Sequence, residues 1–134
     1  MRREFQLPEE DLEFLEALGR PWETVKDGDA HWLVVQNWPV PPGYNHSSAW
    51  AGLILPASYP DGQIDMVYFY PQLALTSGKG INNLTPRQFD GKEWQQWSRH
   101  RTGENPWRPD LDNIATHFHL VDHWLLRELP KVAA

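Results

Sequence analysis

The chain has 134 residues, with 12 lysines and arginines against 18 aspartates and glutamates and no cysteine. Its length suits one domain with one core, residues 1–134, and its 40% hydrophobic content excludes a disordered chain. The net charge of −6 argues against nonspecific binding to nucleic acid or an anionic membrane, and the lack of cysteine excludes disulfides, thiolate metal sites and thiol nucleophiles. Because no apolar run has the roughly 20 residues of a membrane span, and no signal peptide precedes the domain, we expect a cytoplasmic protein.

The first predicted element is a short amphipathic helix from Glu9 to Gly19. Pro8 stands where the first turn tolerates proline, and the acidic residues 9–11 favour the positive end of the helix dipole. The apolar stripe of this helix comprises Leu12, Phe14, Leu15 and Leu18. Gly19 is a typical residue for the end of a helix.

Four strands are predicted next, as an antiparallel meander. They comprise residues 22–25, 31–36, 48–55 and 64–70. Asp27-Gly28 supplies the tight reversal between the first two strands, and the two apolar faces of the third indicate a central strand. The proline-rich residues 38–45 predict a loop, and residues 71–109 predict a long irregular segment.

A long amphipathic helix is predicted after Pro109, with Asp110 or Asp112 as its cap and Pro130 as its end. Apolar residues recur at spacings of three and four, at Leu111, Ile114, Phe118, Val121, Leu125 and Leu129. A group of strands between two helices predicts an α+β fold, in which the last helix lies across the meander sheet.

The segment from Glu93 to Pro109 is the densest in polar and aromatic residues, and we expect it in irregular backbone beside the last helix. His100 stands between Arg99 and Arg101, two cations that favour a neutral imidazole able to act as a base. Ser98 could then be a hydroxyl nucleophile if that base reaches it. The alternative is structural: solvated arginines, a serine that caps a turn, and a histidine bonded to a buried carbonyl.

Other candidates carry weaker signals. His119 and His123 share a helix face and could bind a metal ion in a hydrolase, although a polar helix face explains them better. Asp61 and Asp65 could form a carboxylate pair, although their positions favour a turn and a strand entry. Residues 76–80 lack the spacing of a phosphate-binding loop.

Several motifs resemble those of ubiquitin-conjugating enzymes. Residues 53–60 read as a strand followed by Tyr59-Pro60, and Trp107-Arg108-Pro109 before a long helix resembles the Trp-Ser-Pro element of these enzymes. Three blocks are similar to a bacterial subgroup, the prokaryotic ubiquitin-conjugating-like family E. They are residues 39–45, residues 59–66, and residues 94–100 with 107–109. The resemblance covers about residues 7–129.

The resemblance implies a ubiquitin-conjugating-like fold: an N-terminal helix, a four-stranded antiparallel meander, an irregular active-site segment and a long C-terminal helix. It implies two partners, an adenylating enzyme of the ubiquitin-activating type and a ubiquitin-like or multi-ubiquitin-like protein. We expect no cofactor and no metal. The catalytic group we expect comprises Ser98, Arg99, His100 and Arg101. The binding group comprises Tyr59, Asp65, Trp97, Trp107 and Arg108.

Two features of these enzymes are absent from the chain. Arg99 occupies the position of the thiol that forms the ubiquitin thioester, and the His-Pro-Asn tripeptide is missing. Two hypotheses remain. In the first, Ser98 takes the modifier's C-terminus as an oxyester, with His100 as general base and the arginines on the tail carboxylate or the oxyanion. In the second, the protein is a catalytically inactive binding module for the activating enzyme or the modifier.

Overall fold

A computed structural model describes residues 1–129 of the chain. Over these residues it contains two helices and six strands. In chain order they are α1 (Glu9–Leu18), β1 (Trp22–Asp27), β2 (Ala30–Pro39), β3 (Ser48–Leu55), β4 (Val67–Tyr70), β5 (Leu84–Phe89), β6 (Lys92–Trp97) and α2 (Ile114–Arg127). The strands form one antiparallel sheet in the order β1-β2-β3-β4-β6-β5. The predicted α+β class is confirmed. The predicted four-stranded meander is wrong, because the sheet has six strands and β6 rather than β5 lies beside β4.

The first helix and hairpin follow the sequence prediction closely. Gly19 ends α1 in a left-handed conformation, with φ of 66°, and its N–H donates to the Glu16 carbonyl. The prediction that residues 38–45 are all loop is wrong at its start, because β2 continues through Trp38 and Pro39. A bulge at Asn37, with φ of 57°, interrupts the pairing with β3, which then resumes at Trp38.

The β5–β6 hairpin is the main correction to the predicted architecture. Residues 84–97, expected in irregular backbone, form two paired strands, and β6 continues the sheet beside β4. Asp90 and Gly91 make the two-residue turn, with φ of 54° and 72°. The predicted active-site segment therefore begins as a sheet strand, and only its part after Trp97 is irregular.

The second helix is shorter than predicted and is capped by Asn113 rather than by Asp110 or Asp112. The Asn113 side chain accepts from the Thr116 N–H at 3.0 Å, and the Thr116 hydroxyl accepts from the Asn113 N–H at 2.9 Å. Leu111 precedes the helix and is exposed. The predicted stop, Pro130, lies outside the described residues. The predicted stripe is buried at Ile114, Phe118, Val121 and Leu125.

The sheet is covered on one face by the helices and carries an aromatic cluster on the other. The helix side includes Leu33, Ala51, Leu53, Phe69, Trp97 and Phe118. The other side includes Trp32, Tyr68, Phe89 and Trp94, and Trp32 stacks on Phe89 with 3.9 Å between ring centroids. Trp32 is on β2 and Phe89 is on β5, and three strands lie between these two in the sheet. The sheet is therefore strongly curled, since the two rings are in contact.

The two edges of the curled sheet are joined by Arg2. Its Nε is 2.6 Å from the Glu23 carboxylate on β1, and its Nη2 is 2.7 Å from the Asp90 carboxylate at the β5–β6 turn. These contacts raise the pKa of Arg2 and lower those of both carboxyl groups, because each charged form gains an opposite charge and hydrogen bonds. Over residues 1–129, none of the helices has the length and apolarity needed to cross a membrane.

Candidate functional site

The pairing of β4 with β6 brings two distant segments of the chain together. Val67 at the start of β4 is opposite Trp97 at the end of β6. Since the strands are antiparallel, the residues before β4 lie beside the residues after β6. The Met66 N–H donates to the Arg99 carbonyl at 3.0 Å and extends this contact beyond the sheet. The geometry therefore places Asp65 next to residues 100 and 101.

His100 and Asp65 form a dyad at the surface. The Nδ1 of His100 is 2.7 Å from Oδ2 of Asp65, and Oδ1 of Asp65 accepts from the Arg101 N–H at 3.3 Å. A carboxylate only accepts hydrogen bonds, so of the two neutral tautomers it favours the one with the proton on Nδ1. The His100 side chain is 65% exposed, which leaves the lone pair on Nε2 open to a substrate. Such a group can act as a general base or a nucleophile.

Ser98 is not part of this dyad. Its hydroxyl accepts from the Gln96 side-chain amide at 3.4 Å, and its N–H donates to the Asn83 carbonyl at 3.0 Å. Within residues 1–129, the hydrogen bonds of Ser98 and of His100 do not join the two side chains. The contact that the oxyester hypothesis needs is therefore not formed in this structure.

The two arginines beside His100 direct their side chains elsewhere. Nη2 of Arg99 is 3.1 Å from the Glu128 carboxylate at the end of α2. The Arg101 side chain is only 4% exposed, and its guanidinium packs over the Trp107 ring at 4.9 Å. Burial lowers the pKa of Arg101. Both cations are used inside the protein rather than presented beside the imidazole.

The residues expected to bind partners occupy different environments. Tyr59 donates from its hydroxyl to Asp11 at 2.7 Å, and burial raises its pKa. Trp97 is fully buried, so it is a core residue. Trp107 is half-buried and donates from Nε1 to the Pro60 carbonyl at 3.0 Å, and Arg108 is exposed. Tyr59, Asp65 and Trp107 are thus half-buried and Arg108 is exposed, so of this group only Trp97 has no surface that a partner can reach.

Sequence reasoning missed His117, which is fully buried beneath the dyad. Its Nε2 is 2.8 Å from the Met66 carbonyl oxygen, and its Nδ1 is 3.1 Å from Nη2 of Arg101. Burial lowers the pKa of His117 to about 4. The signal was available, because position 117 is three residues from Ile114 and four from Val121, on the apolar stripe of α2.

The remaining candidates stay apart from the dyad. His119 and His123 are exposed on α2, and Asp61 is exposed in the turn after Pro60. Across the described residues, no group of three or more His, Asp or Glu side chains is arranged to hold a metal ion. The carboxylate pairing considered for Asp61 and Asp65 is replaced by the pairing of Asp65 with His100.

Comparison with protein families gives one informative match. The family model described as prokaryotic E2 family E matches residues 7–128, nearly the whole chain. The comparisons with curated proteins and with solved structures gave no match. The resemblance inferred from the sequence blocks is thereby confirmed at the level of the family.

Proposed function

Because the chain belongs to the prokaryotic E2 family E, we propose that it acts in a ubiquitin-like conjugation pathway. There it accepts or positions the C-terminus of a ubiquitin-like protein, delivered by an activating enzyme of the adenylating type. The observation that carries the proposal at the site is the exposed imidazole of His100, oriented by Asp65. It lies between β6 and Trp107, where the resemblance expects acyl transfer.

The chemistry we propose is general-base catalysis by His100. An amine attacks the carbonyl carbon of the modifier's activated C-terminus, the new C–N bond forms, and the bond from that carbon to the activating enzyme or nucleotide breaks. Nε2 of His100 takes the proton from the attacking amine and gives it to the leaving group. Asp65 holds the ring in the required tautomer and stabilises the imidazolium that forms in between. A cysteine thioester on this chain is excluded, since the chain has no cysteine.

A chain that holds the modifier's C-terminus beside His100, without a covalent bond to it, fits the geometry better than an oxyester on Ser98. The serine hydroxyl is hydrogen-bonded to Gln96, and a hydroxyl is a weak nucleophile without a base beside it. The modifier's tail would instead lie across the exposed His100 edge of the site, with Trp107 and Arg108 on the same segment of chain. Under this proposal Ser98 makes no bond to the modifier.

A second candidate function is a binding module without catalysis. It is favoured by the internal use of Arg99 and Arg101, because neither of these guanidinium groups is then presented to an oxyanion near His100. In this case the chain would dock the activating enzyme or the modifier, and the dyad would contribute contacts only. The two candidates share the pathway and differ in whether the imidazole moves a proton.

The test is reconstitution with the adenylating enzyme and ubiquitin-like protein of the same genome, ATP and an amine acceptor. We expect His100→Ala and Asp65→Ala to slow conjugate formation by about 10²-fold, the usual contribution of a general base. Ser98→Ala should change the rate little. The matched control is His123→Ala, because His123 is also exposed but lies on α2, away from the dyad.

Each outcome of this experiment separates the hypotheses. A hydroxide-labile adduct that disappears in Ser98→Ala would restore the oxyester mechanism and overturn our assignment of Ser98. A reaction that needs the chain but proceeds at the normal rate in His100→Ala would identify a binding module. Conjugation that is equally fast without the chain, together with no binding to either protein, would overturn the proposed function.

A further inference from the structure

The buried His117 has one possible protonation pattern, set by its two partners. An arginine can only donate hydrogen bonds and a carbonyl oxygen can only accept them. Nδ1 of His117, 3.1 Å from Nη2 of Arg101, must therefore be the acceptor, and Nε2, 2.8 Å from the Met66 carbonyl, must carry the proton. The pKa of His117, lowered to about 4 by burial, agrees with a ring that stays neutral near pH 7.

The Met66 backbone needs the support that His117 provides. Its φ of 58° lies in the left-handed region, which a side chain with a Cβ disfavours. Two hydrogen bonds hold it there: its N–H donates to the Arg99 carbonyl at 3.0 Å, and its carbonyl accepts from His117. Met66 directly follows Asp65, so the hydrogen bonds that hold Met66 also restrict the backbone that carries the Asp65 carboxylate.

Arg101 contacts both Asp65 and His117. Its backbone N–H donates to Oδ1 of Asp65, while its nearly buried side chain donates to His117. Nη1 of Arg101 is also 3.6 Å from Oδ2 of Asp112, which keeps a negative charge beside the buried guanidinium. The Asp65 carboxylate, which orients His100, is thus held in two ways. One is through the backbone of the next residue, Met66, and the other is through Arg101.

We propose that His117, together with Arg101, is a positioning residue for the His100–Asp65 dyad. The neutral His117 ring holds Met66 in its left-handed conformation and Arg101 in its inward orientation, and so fixes Asp65 against Nδ1 of His100 with Nε2 directed outward. The functional importance of this arrangement rests on the proposed function, but the arrangement itself can be tested without any partner protein.

The experiment is long-range ¹H–¹⁵N NMR of the imidazole rings in the full chain at about pH 8.5, two units above the ordinary pKa of a histidine side chain. Each of the six histidines is assigned by its loss in the corresponding glutamine variant. In the native protein we expect His117 to carry its proton on Nε2 and His100 on Nδ1. The opposite tautomer at either ring would overturn the proposal, whatever the behaviour of any variant.

Variants then test the link between the two rings. His117→Phe keeps a ring of similar size and removes both hydrogen bonds, so the ¹⁵N shifts of His100 should move toward those of a mixture of tautomers. His117→Gln, which can still donate to Met66 and accept from Arg101, should restore the native shifts. Arg101→Met keeps the backbone N–H that bonds Asp65 but loses the bond to His117 and the ion pair with Asp112, and it provides a second test if His117→Phe does not fold.

A structural role in the core alone predicts a different result. If His117→Phe or Arg101→Met lowers stability but leaves the His100 shifts at their native values, the positioning role is wrong. If the shifts respond as expected while His100→Ala conjugates normally in the reconstituted pathway, the proposed catalytic role of the dyad fails and the positioning inference stands. His119→Phe, at an exposed position on the same helix, is the matched control and should leave the His100 shifts unchanged.

Discussion

Two histidines 17 positions apart in the chain illustrate how burial divides one residue type into two roles. Within the part of the chain that the structure describes, His100 is 65% exposed and keeps one ring nitrogen free, whereas His117 is fully buried and uses both. An exposed imidazole can exchange a proton with a substrate, and a buried neutral one can only fix the groups around it. The sequence singled out the first histidine as a candidate, but nothing in it settled which of the two roles each ring has.

The partner of His100 could not be predicted from the residues beside it. Asp65 is 35 positions earlier in the chain, and only the pairing of β4 with β6 brings it to the imidazole. Because residues 71–109 were predicted to be irregular, the predicted sheet had no β6. The pairing of β4 with β6, which produces this contact, was therefore not predicted. The expected Ser98–His100 pair relied on closeness in sequence, which strand geometry does not preserve at the end of β6.

Substitution of His117 should change how stability depends on pH. Its folded pKa of about 4 is below the unfolded value of 6.5, so the unfolded chain takes up a proton first as the pH falls. Stability is then lost between pH 6.5 and pH 4, and at pH 5 the loss relative to pH 7.5 is about 2 kcal/mol. His117→Gln should lack this part of the loss, measured by urea unfolding at both pH values.

The control for this measurement is His123→Gln, at an exposed position of α2. It should keep the full decrease in the free energy of unfolding between pH 7.5 and pH 5. Equal decreases in the native protein, His117→Gln and His123→Gln would mean that the buried ring does not resist protonation. The comparison between variants also cancels the contribution of the carboxyl groups, which are the same in all three chains.

At the scale of elements, periodic patterns predicted the parts of the fold that are buried on one face. The α1 and α2 stripes follow from apolar residues at regular spacing, whereas the central strand β3 was predicted from a continuous apolar run that gives it two apolar faces. The β5–β6 hairpin escaped because its pattern is broken. Pro86 interrupts β5, only the last residue of that strand is buried, and the buried position 95 on β6 is a glutamine.

The hydrogen bonds of Gln95 explain why a polar side chain is buried on β6. The Gln95 side chain accepts from the N–H and donates to the carbonyl of Leu73, and it also accepts from Nε1 of Trp97. These bonds satisfy a buried amide that hydropathy alone would assign to the surface. The Asp90-Gly91 turn was the one clear signal of the hairpin, of the same kind that located the β1–β2 reversal.

The β5–β6 turn offers a test of this hairpin. Gly91 has φ of 72° and no atom within 4 Å of an added Cβ, so Gly91→Ala adds only conformational strain. We expect it to lower the free energy of unfolding by about 1 kcal/mol, measured by urea denaturation. Gly103→Ala is the control, because an added Cβ also meets open space there and the φ is not in the left-handed range. An equally small effect at both positions would contradict the turn geometry.

At the scale of the whole molecule, contacts between distant segments position the site. The curl of the sheet brings its two edges together at Arg2. The helix α2 packs over the face of the sheet that is opposite the aromatic cluster. The segments before β4 and after β6 then meet at one end of the sheet, beside the start of α2. Composition predicted the core that makes this possible, but the meeting point depends on a strand order, β4 beside β6, that no local pattern encodes.

Tyr59 connects three parts of the molecule beside the site. Its hydroxyl donates to Asp11 on α1 at 2.7 Å and accepts from the Ile114 N–H at the start of α2 at 3.0 Å. Its ring lies 6.2 Å from that of Trp107, centroid to centroid. Burial raises the pKa of Asp11, while the hydrogen bond from Tyr59 opposes that rise.

Because Tyr59 is the hydroxyl donor to a buried carboxylate, Tyr59→Phe and Asp11→Asn should be coupled. We expect Tyr59→Phe to cost about 2 kcal/mol at pH 7.5, as is typical of a bond to a charged group. In the Asp11→Asn background, where no charge is left unsatisfied, the cost should fall by about 1 kcal/mol. Urea unfolding of the four proteins of the double-mutant cycle measures the difference.

The pH dependence of this cycle supplies an independent check. The folded pKa of Asp11 is raised above its unfolded value, so the folded state takes up the proton first and stability is gained as the pH falls through the folded pKa. Tyr59→Phe should move that gain to higher pH, and Asp11→Asn should abolish it. Tyr70→Phe, on a half-buried tyrosine of β4, is the control for loss of a hydroxyl. Purely additive effects of the two substitutions at every pH would show that α1, α2 and the turn at Tyr59 are not held together through this carboxylate.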